Sequence, residues 1–219
     1  MTPAARSLTV SHVQLARAVF AAIAALMITF SPDHSAQVGL SVFSGFAIAT
    51  GLIHLLAVWL VFPAGDRWPS MIMGIVSVVA GMVGGITTLR SVTLLLTVVV
   101  AWALATGLVE TIAGARRNRV ARAAAGASER ATTTDAVTIG IITLLLGAGT
   151  LAVPAQYALE YYIEDAGRSF TLTGVTIAVG IFGAYAAIVA VYLGIAGLSP
   201  RTPVVAAASS EATNEKESA

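Results

Sequence analysis

The stretch that most constrains this chain runs from Arg90 to Glu110, where nineteen consecutive residues carry no charge. At about 1.5 Å of rise per residue, a helix of that length and the turn after it cross a hydrocarbon core of roughly 30 Å. The stretch leads into Arg116, Arg117, Arg119 and Arg122. A basic cluster directly after a span marks the cytoplasmic side of a membrane and sets topology. The composition points to the same solvent. Of 219 residues, 57% are hydrophobic and 11% charged, and the mean hydropathy is +0.87, more apolar than a soluble surface tolerates. A formal charge of +1 excludes a general nucleic-acid binder, which needs a basic excess to neutralise phosphates. The chain has no cysteine, so it has no disulfide, thiolate nucleophile or sulfur-ligated metal. No cofactor or metal is expected.

Read in order, the chain predicts an all-α polytopic membrane bundle of six transmembrane helices over 12–198. It is preceded by a cytoplasmic segment, 1–11, and followed by a disordered cytoplasmic tail, 199–219. The apolar run after Arg17 has the form of a secretory signal, but the site near His34-Ser35-Ala36 puts a bulky His where cleavage wants a small residue. It is read as the first span, with Arg17 snorkelling to the headgroups. Further spans fall at about 38–62, 69–88, 92–114, 135–153 and 171–198, with 115–134 as the longest cytoplasmic loop. With six spans and both termini inside, nine basic residues lie on the inner side (Arg6, Arg67, Arg116, Arg117, Arg119, Arg122, Arg130, Arg201 and Lys216) and two, Arg90 and Arg168, outside. The bias fixes the orientation. The segment 154–170 belongs outside, with Tyr157, Tyr161 and Tyr162 suited to an interfacial belt. Glu160 and Glu164 share a face there if the segment is helical, and with Asp165 they are read as a solvated surface.

The chain also repeats itself. At an offset of 56, Ala18, Ala25, Thr50, Gly51, Leu52 and His54 fall on Gly74, Gly81, Thr106, Gly107, Leu108 and Glu110. At a further 66, Gly74 and Gly81 fall on Gly140 and Gly147. Three helical hairpins result, 12–62, 69–114 and 135–198, and in the third the best register puts Gly183 opposite Gly107 and Ala186 opposite Glu110. Small residues seven apart share a helix face and let backbones approach closely in lipid. Gly74, Gly81, Gly85, Gly107, Gly140 and Gly147 are the expected packing glycines.

Three hairpins, first helices of the form GIVSVVAGMVGGIT and GIITLLLGAGTLAVP, and a second helix ending ATGLVETIAGARRNR together resemble the HdeD family of small bacterial membrane proteins. The resemblance covers about residues 14–198 and is clearest over 71–119. It implies a six-span protein of the bacterial cytoplasmic membrane, linked to acid resistance, with no established reaction. His54 and Ala186, where the second unit has Glu110, depart from the pattern.

One intramembrane group asks for a reason. Glu110 is read as the acidic residue within a span, where an ionised carboxylate costs on the order of 3 kcal/mol. The plainer account pairs it with Arg116, Arg117 or a neighbouring helix end at the inner interface. The sharper one makes it a proton-titrating pair with His54, its repeat equivalent at similar depth. The chain shows no phosphate loop, H-E-x-x-H or nucleophile elbow. The sequence therefore predicts a non-enzymatic membrane protein of the HdeD type in acid or envelope stress tolerance. The alternative is a small transporter or proton-linked channel with Glu110 and His54 in its pathway. Its expected partner is the lipid bilayer, with a second copy or another membrane protein as candidates.

Overall fold

A computed structural model describes residues 8–124 and 127–199, apart from the side chains of Ala64, Ala166 and residues 120–131. The tail from residue 200, residues 1–7 and the side chains of Arg122 and Arg130 lie outside the described residues. Six helices form: α1 (Val10–Thr29), α2 (Ala36–Leu60), α3 (Trp68–Gly85), α4 (Val92–Ala124), α5 (Ala127–Leu151) and α6 (Gly174–Leu198). All six are long and apolar enough to cross a membrane, so the chain is a multi-pass membrane protein. The helices neighbour one another in chain order, and α6 returns against α1 to close the ring.

Their ends follow local chemistry. Ser35 caps α2 by accepting from the Val38 amide at 3.4 Å, Pro69 sits in the first turn of α3 where no amide is needed, and Thr173 caps α6 by accepting from the Thr176 amide at 3.3 Å. The expected loop 115–134 is instead helical: α4 continues to Ala124 and α5 starts at Ala127. Alanine and arginine are strong helix formers, so the polar connection extends the helices rather than breaking them.

The segment between α5 and α6 also departs from expectation. It holds β1 (Ala158–Ile163) and β2 (Arg168–Thr173), an antiparallel hairpin turning through Gly167 at φ 62°. Glu160 therefore lies in a strand and Glu164 opens the turn, so they share no helical face. Strand alternation puts Leu159, Tyr161 and Ile163 on one face with Phe170 and Leu172, and Glu160 on the other with Thr171.

The tightest helix pairs are α2 with α3, α4 with α5, and α6 with α1. These join the second helix of one sequence hairpin to the first helix of the next. A methyl on Gly51 would lie 2.8 Å from the Gly74 carbonyl oxygen, and one on Gly107 would lie 3.0 Å from that of Gly140. Gly81 packs on Ser44 and Ile48, and Gly147 on Ala103 and Leu104, while Gly85 meets only the Ser44 hydroxyl. In the third pair Gly183 lies on Ile28 and Gly197 on Leu15. Both the start of α1 and the end of α6 lie at the arginine-rich end, since Val10 and Leu193 line one cavity with Arg117.

Candidate functional site

The second helices of the three units, α2, α4 and α6, supply the residues along the bundle axis. Phe46 and Trp102 are 56 apart, as the repeat requires, and their rings meet edge to face at 5.8 Å. Tyr185 completes the set at 6.1 Å from Trp102 and 6.4 Å from Phe46, in geometries that aromatic quadrupoles favour. Tyr185 lies 83 positions after Trp102. The same step carries Ala103 to Ala186, and with Ala47 these three alanines are fully buried. The register between the second and third units is therefore 83, two helical turns beyond the expected one. Ala186 stands opposite Ala103, not Glu110, and the equivalent of His54 and Glu110 is Leu193. All three are buried, at 5%, 6% and 1% exposure.

The first helices contribute a matching layer. Ser77 and Thr143 are repeat equivalents. Ser77 Oγ accepts from Trp102 Nε1 at 2.9 Å, and the Thr143 hydroxyl lies 3.1 Å from that of Tyr185. In the first unit the same positions hold Ala21 and Phe46, neither of which needs a partner. Each unit thus matches polar with polar or apolar with apolar, as buried groups require.

One layer closer to the arginine-rich end, this near-threefold pattern breaks. The equivalent first-helix positions are Arg17, Met73 and Ile139, and the second-helix positions are His54, Glu110 and Leu193. Arg17 does not snorkel. Its Nη1 donates to Glu110 Oε1 at 2.8 Å and its Nη2 to Oε2 at 3.4 Å, both side chains being mostly buried. Removing two such charges from water costs several kcal/mol each, which only a close, hydrogen-bonded pairing offsets. Glu110 thus finds its cation on α1, not at Arg116 or Arg117. Arg117 reaches Asp66, donating to its carbonyl at 3.0 Å and lying 3.6 Å from its carboxylate. Arg116 and Arg119 are exposed.

His54 lines the same space as this pair but makes no hydrogen bond to Glu110, and its Nδ1 is buried without a partner. Arg17 and Thr50 line the same space, and their Nε and Oγ1 atoms are also buried without a partner. Two cavities meet these groups. The smaller, about 10 Å³, lies between the ion pair and the aromatic layer. The larger, about 70 Å³, extends from Arg17, His54 and Glu110 towards Val10, Arg117 and Thr132. Asp135 spans its wall, accepting from Gln14 Nε2 and from the Tyr192 hydroxyl, each at 3.1 Å. It ties α1, α5 and α6 together.

Sequence reasoning brought His54 and Glu110 to one depth, and the structure puts both on the axis. It missed Arg17, Asp135 and Gln14. The repeat held a signal for Gln14, because Gln14, Ser70 and Ala136 occupy equivalent positions and all line the larger cavity. The packing glycines lie on the helix-pair seams. No family model, curated protein or solved structure matches this chain.

Proposed function

We propose that this chain is a non-enzymatic protein of the bacterial cytoplasmic membrane, of the HdeD type, with both termini cytoplasmic. In this reading it acts in acid or envelope stress tolerance through protonation at Glu110. The observation that carries the proposal is the buried Arg17–Glu110 pair beside an unpartnered His54, at the inner end of a cavity running to the arginine-rich face. A carboxylate in such a place is retained for a reason other than packing, since Leu193 fills the equivalent position in the third unit. The arginine-rich end is the cytoplasmic one by the excess of basic residues.

A second reading, a small transporter or proton-linked channel, draws on the same cavity. The close-packed rings of Phe43, Phe46, Trp102, Phe182 and Tyr185 lie across the axis on the outer side and argue against a continuous path. Acid survival of cells carrying Glu110→Gln in place of wild type tests the first reading. Unchanged survival, with the variant present in the membrane at normal level, removes it. Proton flux into proteoliposomes that depends on Glu110 would favour the second.

A further inference from the structure

Glycine lets helix backbones approach closely in lipid, and the seam between α1 and α2 has none. α1 contains no glycine, and those of α2 face α3, α4, α6 or open space. A groove of about 160 Å³ is left between the two helices. Leu8, His12 and Ala16 line it on one side and Ile53, Leu56 and Leu60 on the other. Leu8, Leu56 and Leu60 are exposed and both helices are membrane spans, so the groove opens to lipid. Its lining runs from 8 to 16 and from 53 to 61, which is about 12 Å along each helix. That is most of the roughly 15 Å depth of hydrocarbon in one leaflet.

Two donors accompany this groove at the arginine-rich end. The Thr9 amide donates to His12 Nδ1 at 3.2 Å, which places the imidazole proton on Nε2. No described residue accepts from that nitrogen. Arg67 follows α2 after a short turn. Its Nε donates to the Phe62 carbonyl at 3.0 Å and its guanidinium lies over the Trp59 ring at 5.5 Å, while its two terminal nitrogens meet no acceptor among the described residues. The neighbouring Asp66 is engaged by Arg117. A guanidinium held by stacking and by a backbone carbonyl keeps its fork ready for an oxyanion. Trp59 is exposed, as suits an indole at headgroup level, and Arg116 and Arg119 add exposed positive charge at the same end.

An empty apolar groove forfeits contacts along its whole length, and water does not settle in apolar space. A hydrocarbon chain fills it instead. We infer that the α1–α2 groove seats one acyl chain of an anionic phospholipid from the leaflet at the arginine-rich end. Its phosphate rests on the Arg67 guanidinium, and the His12 Nε2–H, one turn further along α1 than Leu8, donates to the ester region below. The apolar groove beside the free guanidinium selects a lipid over free phosphate, and the unopposed positive charge selects an anionic headgroup over a neutral one.

The test reconstitutes the full chain into bilayers of phosphatidylglycerol and phosphatidylcholine in equal amounts with the same acyl chains. After extraction in mild detergent, the lipids retained are counted by native mass spectrometry. Wild type is expected to retain phosphatidylglycerol over phosphatidylcholine by about fivefold, the worth of one basic group at an anionic headgroup. Arg67→Gln brings the two to near parity, while Arg168→Gln, which removes a cation at the other end of the bundle, leaves the preference unchanged. Ala16→Leu fills the groove and lowers retention of both lipids. Equal retention of the two lipids by wild type overturns the anionic headgroup. Equal loss of preference in Arg67→Gln and Arg168→Gln shows a net-charge effect and overturns the site. Undiminished retention in folded Ala16→Leu overturns the groove. If Ala16→Leu does not fold, Leu60→Trp, which closes the groove from its exposed side, takes its place with the same two outcomes.

Discussion

Two adjacent layers of the bundle axis are built from equivalent positions and came out differently. In the aromatic layer, Phe46, Trp102 and Tyr185 are each matched by the facing residue of their own unit, Ala21, Ser77 and Thr143. The layer satisfies itself locally, unit by unit. In the charged layer, Arg17 belongs to the first unit and its partner Glu110 to the second, while the third unit contributes Ile139 and Leu193. Charge is balanced only across units, and polar atoms are left without protein partners. The repeat keeps its matched packing in one layer and abandons it in the next.

The contrast can be broken most forcefully at Arg17. Arg17→Met, which copies Met73, leaves Glu110 buried without its cation, and is expected to cost about 3–5 kcal/mol. The measurement is the thermal unfolding midpoint in detergent. Arg17→Met with Glu110→Leu makes the layer resemble the third unit and is expected to recover that loss, since apolar replacement of a buried pair is often neutral or stabilising by about 1–4 kcal/mol. A double variant no more stable than the single one would show that the charges do structural work.

Next comes the aromatic layer. Ser77→Ala strands the buried Trp102 N–H and is expected to cost about 1–3 kcal/mol. Ser77→Ala with Trp102→Phe reproduces the Ala21 and Phe46 arrangement and should regain much of it. Additive losses in this pair, measured by the same unfolding, would contradict unit-by-unit matching. At the helix seams, Gly107→Ala pushes a methyl against the Gly140 carbonyl and Leu144, with an expected cost of about 1–3 kcal/mol. Gly45→Ala meets nothing within 4 Å, and a change within about 0.5 kcal/mol is expected, or a slight gain from helix propensity. Equal effects at the two glycines would show that the seam is not close-packed.

Much of this was legible in the sequence. The six spans followed from uncharged length, and the offsets of 56 and 66, read from the glycines, also carry Ser77 onto Thr143, a pair the sequence reading did not single out. The third unit misled because a shift of seven residues keeps the same helix face, and α6 has no charged residue to tell one turn from the next. Arg17 read as a headgroup anchor because nothing local distinguishes an inward from an outward arginine. Its partner lies 93 positions away, in another repeat. The hairpin after α5 escaped notice because its alternating pattern is only six residues long on each strand, too short to outweigh the aromatic and acidic content that suggested an interfacial segment.

That hairpin is joined to the membrane domain in an unusual way. β2 ends at Thr173 and α6 begins at Gly174, with no slack between them, and the Gly174 amide donates back to the Tyr157 carbonyl at 2.8 Å. Whatever grips the ribbon therefore holds the handle of a rod whose shaft carries Tyr185 and Leu193. A twist applied to the ribbon passes straight into the helix that reaches the centre of the molecule, with no residue of loop between them.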